Sequence, residues 1–202
     1  MTVRRQRDFL NYIKRINNIA DIGLLYADDD YDIERYEELK EIVIELLHKF
    51  TDTSIEKIRA FFPVPNDYPT PKVDVRAFIL NEKKEILLVK EKLDGKWSIP
   101  GGWADIGLTA SEAVEKEVLE ESGLHAKAIR LLALFDKKCH PHPPQAPYVY
   151  KIIFLCEIIG GKVDKGFDIE EVAFYSPDKL PELSTNRILE SQIRKLYLLA
   201  TK

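Results

Sequence analysis

The chain has 202 residues, of which 45% are hydrophobic and 32% charged, with a formal net charge of −4. This is enough to bury the core of one domain and a small additional one. No apolar run has the roughly 20 residues of a membrane-spanning helix, and two cysteines are too few for a disulfide framework, so we expect a cytoplasmic protein without membrane attachment.

Apolar side chains recur at helical spacing in the N-terminal third. They predict two helices, one with the stripe Phe9, Ile13, Ile16, Ala20 and Leu24, the other with Ile33, Tyr36, Leu39, Val43 and Phe50. A third, shorter helix is predicted to begin at the capping box Thr53-Ser54-Ile55-Glu56. Such stripes pack against each other, the rest of the chain or a second subunit, and a homodimer is the preferred interpretation.

The proline-rich segment 63–71 predicts a domain boundary, because proline cannot continue a helix. We therefore divide the chain into a helical N-terminal domain, residues 1–66, and a second domain, residues 67–202. The first is expected to serve dimerisation or to cap a substrate site. The second alternates between strands and helices, which is typical of an α/β fold.

Period-two patterns mark the strands of the second domain. A hairpin is predicted from Val73–Leu80 and Glu85–Glu91, and further strands from Ala126–Phe135, Tyr148–Ile159 and Val172–Tyr175. A final helix is predicted from about Thr185 to the C-terminus.

Between these strands lies a helix with three carboxylates on one face. Its start is marked by the capping box of Thr109 with Glu112, and its end by Gly123. The carboxylates, at positions i, i+3 and i+4, are Glu117, Glu120 and Glu121. Like charges at this spacing weaken a helix by about 0.2–0.5 kcal/mol per pair unless something neutralises them. The pattern therefore predicts a cation site, and its hard oxygen ligands suit Mg²⁺ or Mn²⁺ better than zinc.

The segment from Gly102 to Leu124 resembles the 23-residue signature of the Nudix hydrolases, G-x5-E-x7-R-E-U-x-E-E-x-G-U, in which U is aliphatic. The matching residues are Gly102, Glu117, Val118, Glu120, Glu121, Gly123 and Leu124. Two positions differ, since Leu108 replaces the first glutamate and Lys116 replaces the arginine. Asp105, three residues before Leu108, is a candidate to compensate for the lost carboxylate.

The resemblance implies a Nudix-type α/β/α sandwich with a mixed β-sheet, preceded here by a small all-α N-terminal domain. It also implies Mg²⁺- or Mn²⁺-dependent hydrolysis of the pyrophosphate bond in a nucleoside diphosphate linked to another moiety. The helical N-terminal extension is similar to that of a Nudix subgroup linked to CDP-choline or ADP-ribose.

The resemblance further implies which residues carry the chemistry. Glu117, Glu120 and Glu121 correspond to catalytic metal ligands, and the carbonyl of Gly101 is expected as a further ligand. The general base is one of these carboxylates or one from a later segment, where the candidates are Glu157, Glu170 and Glu171. Arg76 and Lys90 are candidate substrate ligands, although a structural salt bridge explains a mid-strand arginine such as Arg76 equally well.

Two alternative functions stay open. One is an RNA-processing enzyme that uses the same motif, and the other is a catalytically weak nucleotide sensor, suggested by Leu108 and Lys116. Residues 1–67 carry 14 acidic and 10 basic side chains. An acidic segment grips a phosphate backbone poorly, so nucleic acid is the disfavoured partner and a small nucleoside diphosphate derivative the favoured one.

Overall fold

The computed structural model describes residues 3–51, 53–63, 67–145 and 147–202, and their side chains from residue 8 onward. Contacts divide the chain into two compact units, one of residues 1–71 with 144–147 and the other of residues 72–143 with 148–202. None of the helices within the described ranges combines the length and the apolar character that crossing a bilayer requires.

The first unit consists of three helices, two predicted from the apolar stripes and the third from the capping box. These are α1 (Val3–Tyr26), α2 (Asp30–Phe50) and α3 (Ile55–Phe61). The carboxylate of Asp29 caps α2 by accepting two backbone N–H groups, and the hydroxyl of Ser54 caps α3. The small core of the unit is formed by Ile13, Val43, Ile44, Leu47 and Ile58.

The second unit is a mixed α/β structure, as predicted. Its strands are β1 (Lys72–Ile79), β2 (Ile86–Glu91), β3 (Trp97–Ser98), β4 (Gly101–Trp103), β5 (Leu124–Asp136), β6 (Val149–Gly161) and β7 (Ile169–Tyr175). Its helices are α4 (Ala110–Ser122) and α5 (Glu190–Ala200). One sheet has the order β4-β1-β6-β5, with β1 parallel to β6, and the other has the antiparallel order β3-β2-β7.

The turn of the predicted β1–β2 hairpin forms, but the prediction that the two strands pair beyond it is wrong. The two strands belong to different sheets, and the bridge recorded between Leu80 and Ile86 sits at the turn itself. The turn forms as expected, since Asn81 and Glu85 pair through backbone N–H and carbonyl groups at 3.0 Å. Period-two alternation predicts that a segment is a strand, but the partner of that strand is decided by distant segments.

The last helix begins at Glu190 and not at about Thr185. The residues before it form a turn, in which the carbonyl of Ser184 accepts the backbone N–H groups of Arg187 and Ile188 at 2.8 and 2.9 Å. The helix therefore begins about five residues later than predicted.

The second unit contains two hydrophobic cores. Ala113, Val114 and Val118 of α4 pack into one of them, and Ile193 and Leu196 of α5 into the other. Strand β2 contributes to both, because alternate side chains of a strand point to opposite faces: Leu87 enters the α4 core, while Ile86 and Leu88 enter the α5 core.

Candidate active site

Helix α4 begins and ends at the residues that the sequence predicted. At its start, the Thr109 hydroxyl accepts the Glu112 N–H at 3.2 Å, and the Glu112 carboxylate accepts the Thr109 N–H at 2.8 Å. At its end, Gly123 adopts φ 69° and donates its N–H to the Leu119 carbonyl at 2.9 Å. Both ends fix the rotation of the helix, and so the direction of its side chains.

The three carboxylates of α4 differ in exposure. Glu121 lies three residues after the buried Val118 and is itself only 7% exposed. Glu117 is half-buried, and about half of the Glu120 side chain is exposed. The row therefore runs from the edge of the core out to solvent, as a site open to a ligand from one side requires.

Glu121 is held by the glycine loop. Its carboxylate accepts the backbone N–H of Gly101 at 2.8 Å. Burial raises the pKa of Glu121 to about 8, against the opposing effects of the Arg76 charge and this hydrogen bond, and the negative charges of Glu117 and Glu91 raise it further. The positive charge of Arg76 thus does not offset the combined effect of burial and the two neighbouring carboxylates.

Gly102 leaves room for Glu117. A Cβ atom on Gly102 would lie 2.8 Å from the Glu117 Oε1 atom and 2.9 Å from Oε2, which is closer than real contacts allow. Burial raises the pKa of Glu117, and the charge of Glu120 adds to the rise while Arg76 opposes it. A glycine at this position lets the carboxylate lie directly beside the backbone of β4.

These residues fit a hard divalent cation. Within the described ranges, no three acidic, histidine or cysteine side chains alone form a metal-binding group. Mg²⁺, however, is commonly held by one or two carboxylates and completes its coordination with water and substrate phosphate. Glu117 and Glu121 supply such carboxylates, and Glu120 and the Gly101 carbonyl are further oxygen donors. A cation would offset the burial and the mutual repulsion that raise both pKa values.

The same pKa shifts predict how stability depends on pH. Between its unfolded value of 4.5 and its folded value of about 8, Glu121 is protonated only in the folded, metal-free protein. The folded state therefore binds more protons, and stability falls as the pH rises from 6.5 to 8. The lowered pKa values of His142, about 4 against an ordinary 6.5, and of Lys151, about 8 against 10.5, act in the opposite direction, but mainly at the two edges of this window.

We expect the melting temperature without divalent ions to be lower at pH 8 than at pH 6.5, and Glu121→Gln to reduce the difference. A melting temperature that rises over this interval would contradict the assignment of a buried, proton-binding Glu121.

Lys116 and Asp105 connect α4 to the preceding loop. Their side chains form an ion pair at 2.7 Å, and Lys116 also lies 3.6 Å from Glu120. Leu108, in the position of the missing glutamate, is 40% exposed and donates its N–H to the Asp105 carbonyl at 3.4 Å. Asp105, the residue suggested by the sequence to compensate for the lost carboxylate, is thus placed to brace the loop through a solvent-exposed ion pair.

Arg76 lies behind the site on β1, directly opposite Gly101 of β4. It is buried, and its guanidinium binds the Asp74 carboxylate through two nitrogens at 2.8 and 3.3 Å and the Ile99 carbonyl at 3.1 Å. These contacts give Arg76 a structural role next to the glycine loop. Its role as a substrate ligand stays a prediction.

Asp74 also binds Lys151, a residue that the sequence analysis missed. The Nζ atom of Lys151 lies 2.8 Å from Asp74 Oδ2, and Lys151 is 1% exposed. Burial and the nearby Arg76 charge lower the pKa of Lys151 to about 8. Burial alone would raise the pKa of Asp74, but its two cationic partners hold it below the usual value.

Glu91 is a second missed residue. It is buried at the end of β2 and forms an ion pair with Arg187. Burial raises its pKa, while Arg187 and Arg76 oppose the rise. Because the charge of Glu91 acts on both Arg76 and Glu121, it belongs to the same electrostatic environment.

The remaining predicted residues make their contacts away from the α4 carboxylates. Lys90 pairs with Glu170 at 3.0 Å on the β2–β7 ladder, where Lys90 is in register with Glu171. Glu157 is exposed on β6, opposite Lys127 of β5. Their substrate-binding and general-base roles stay predictions, whereas Gly101, Arg76, Glu117, Glu120 and Glu121 lie together.

Comparison with known proteins is consistent with this geometry. Residues 70–196 match the profile of the NUDIX domain, and residues 7–62 match a profile described as a UDP-X-like, N-terminal oligomerisation domain. The chain is 41% identical over 195 residues to a putative ADP-ribose pyrophosphatase of Bacillus subtilis, covering 96% of this chain and 93% of the relative. It is 35% identical over 120 residues to an ADP-ribose pyrophosphatase of Methanocaldococcus jannaschii, covering 58% and 69%.

Two solved structures are similar in fold and sequence. A UDP-X diphosphatase superposes with a TM-score of 0.63 and 34% identity, covering 97% of this chain and 95% of that one. An ADP-ribose pyrophosphatase from Streptococcus suis superposes with a TM-score of 0.60 and 37% identity, covering 66% of this chain and 94% of that one.

Proposed function

Because the chain belongs to the Nudix hydrolase family, we propose that it hydrolyses the pyrophosphate bond of a nucleoside diphosphate linked to another moiety, in the presence of Mg²⁺ or Mn²⁺. The products are a nucleoside monophosphate and a phosphorylated second product. The observation that carries the proposal is the row of three α4 carboxylates beside Gly101 and Gly102.

Relatives narrow the choice of substrate. Two relatives are named as ADP-ribose pyrophosphatases, one of them only putatively, and a similar structure is a UDP-X diphosphatase. These names favour ADP-ribose as the substrate and make UDP-linked compounds further candidates. CDP-choline is the less favoured candidate, because none of these names mentions it. The common chemistry of the three is a pyrophosphate with a nucleoside on one side.

The division of roles follows from the site. Glu117, Glu120, Glu121 and the Gly101 carbonyl would hold the ion, which when bound neutralises negative charge on the pyrophosphate oxygens as water attacks phosphorus. Gly101 and Gly102 keep side chains away from the approaching phosphate. The attacking water gives its proton to a carboxylate. Glu157, Glu170 and Glu171 remain the candidates outside α4, and single Gln substitutions would identify the base by a loss of kcat.

The helical unit supports the further proposal of a homodimer. Tyr12, Ile19 and Tyr26 recur every seven residues along α1, on one face of the helix, and are 59%, 57% and 66% exposed. Apolar rows left in solvent are typical of interaction surfaces. The matching N-terminal profile is described as an oligomerisation domain, so a second copy of α1 is the proposed occupant of this row.

We expect Ile19→Asp to convert a dimer into a monomer, because it places a charge in the middle of the apolar row. Analytical ultracentrifugation would measure the change. Ile42→Asp is the matched control, since Ile42 is 45% exposed but lies on α2. A dimer that persists in Ile19→Asp and dissociates in Ile42→Asp would move the interface to α2.

The deciding experiment for the reaction is phosphate-coupled turnover of a substrate panel with Mg²⁺ or Mn²⁺. The panel contains ADP-ribose, CDP-choline, UDP-linked sugars, nucleoside triphosphates and a 5′-triphosphorylated RNA. Cleavage of a nucleoside diphosphate derivative supports the proposal, while cleavage of the RNA alone supports the RNA-processing alternative. Tight ligand binding without turnover supports the sensor.

A further inference from the structure

The connection between β6 and β7, residues 162–168, lies against the C-terminal end of α4. An α-helix leaves its last carbonyl groups without partners in the helix. Here the Asp164 N–H donates to the Ser122 carbonyl at 2.9 Å, and the Gly166 N–H donates to the Glu121 carbonyl at 3.3 Å. The connection therefore caps the end of the helix that carries Glu120 and Glu121.

Gly166 lies directly against the backbone of this helix. A Cβ atom on Gly166 would lie 2.3 Å from the Glu120 carbonyl oxygen and 3.4 Å from the Glu121 Cα. The obstructing atoms belong to the backbone, so no side chain can rotate away. The φ angle of Gly166 lies outside the left-handed region, so an alanine there would be opposed by this contact and not by its own backbone conformation.

A second tether holds the connection from the side of β2. The backbone N–H of Lys92 donates to the Asp168 carbonyl at 2.9 Å, and the Lys92 Nζ atom donates to the Phe167 carbonyl at 2.5 Å. The connection is thus hydrogen-bonded on both sides. These contacts restrict its movement away from α4.

We propose that the 162–168 connection is a positioning element for the metal-ligating carboxylates, in which Gly166 sets the distance to the last turn of α4. The ligand, a divalent cation held by Glu120 and Glu121, rests on the proposed function. A methyl group at position 166 pushes the Glu120 backbone away, and the Glu121 side chain loses its alignment with Gly101.

The test compares Gly166→Ala with Gly160→Ala. Gly160 lies near the end of β6, and a Cβ atom there would meet nothing within 4 Å. The readouts are the Kd for Mn²⁺ alone, measured by electron paramagnetic resonance, and the kcat and KM of the full chain. In Gly166→Ala we expect a Kd about 10- to 100-fold higher, as for lost outer-shell support of a metal, with a lower kcat and an almost unchanged KM. Gly160→Ala should match the wild type.

A wild-type Kd for Mn²⁺ in Gly166→Ala overturns the inference, even if its melting temperature falls, because the contact would then only stabilise the fold. A wild-type protein that turns over nothing refutes the proposed function, while the Kd comparison still decides the positioning role. Should Gly166→Ala not fold, Lys92→Met removes the side-chain part of the second tether, the hydrogen bond to the Phe167 carbonyl, and keeps the backbone hydrogen bond to Asp168. It is expected to weaken Mn²⁺ binding about two- to tenfold, and a wild-type Kd there overturns the inference.

Discussion

Replacing Glu121 by glutamine is expected to lower turnover by more than about 100-fold, since loss of an outer-shell partner of a metal already costs 10–100-fold. The amide keeps the size of the carboxylate and can still accept the Gly101 N–H, which lies 2.8 Å from the wild-type oxygen. It removes only the negative charge that attracts the cation. Steady-state kinetics with saturating Mg²⁺ would measure the loss.

The folded structure should survive this change. Burial raises the pKa of Glu121 to about 8, so a neutral side chain is better accommodated there than a charged one. We expect a melting temperature equal to or above that of the wild type. Glu82→Gln is the control, an exposed glutamate in the turn before β2, and should keep full activity. Unchanged turnover in Glu121→Gln would remove this residue from the site.

Asp74→Asn is expected to destabilise the protein by about 3–5 kcal/mol, the cost of breaking a buried ion pair by removing one partner. Asp74 is the anion shared by the buried Arg76 and Lys151. An asparagine of similar size leaves two buried cations without the carboxylate that both of them bind. Denaturant unfolding would give the change in the free energy of unfolding.

An exposed ion pair provides the comparison for this result. Glu190→Gln breaks the i,i+4 pair of Glu190 with Arg194, at 2.7 Å, and is expected to cost about 0–1 kcal/mol. Adding Lys151→Met to Asp74→Asn should recover part of the loss, since one unpaired cation disappears. If Asp74→Asn costs no more than Glu190→Gln, the buried network does not stabilise the fold.

Helix α4 was predictable because its signals are local. The hydroxyl of Thr109, the carboxylate of Glu112 and the absent side chain of Gly123 act within one or two turns, so the sequence alone predicts where the helix starts and stops. The direction of Glu117, Glu120 and Glu121 then follows from 3.6 residues per turn. The most informative part of the candidate site therefore needed no tertiary information.

The support behind the site was not predictable in the same way. Asp74 and Arg76 stand two residues apart on one strand, and this spacing predicts only that they share a face. Lys151 reaches them because β1 pairs with β6 in parallel, a choice made between segments far apart in sequence. Glu91 and Arg187 meet for the same kind of reason. From the sequence, a substrate ligand and a structural salt bridge explained Arg76 equally well. Its contacts with Asp74 are visible only in the folded structure.

Because the second unit has two cores, a substitution in one core acts mainly on the helix that packs on that core. Helix α4 rests on one core and α5 on the other, and β2 contributes Leu87 to the first and Ile86 and Leu88 to the second. A substitution beneath α5 reaches the carboxylates of α4 only through the shared strands. During evolution, the side chains of the core beneath α5 can therefore repack while the helix that carries the chemistry keeps its shape.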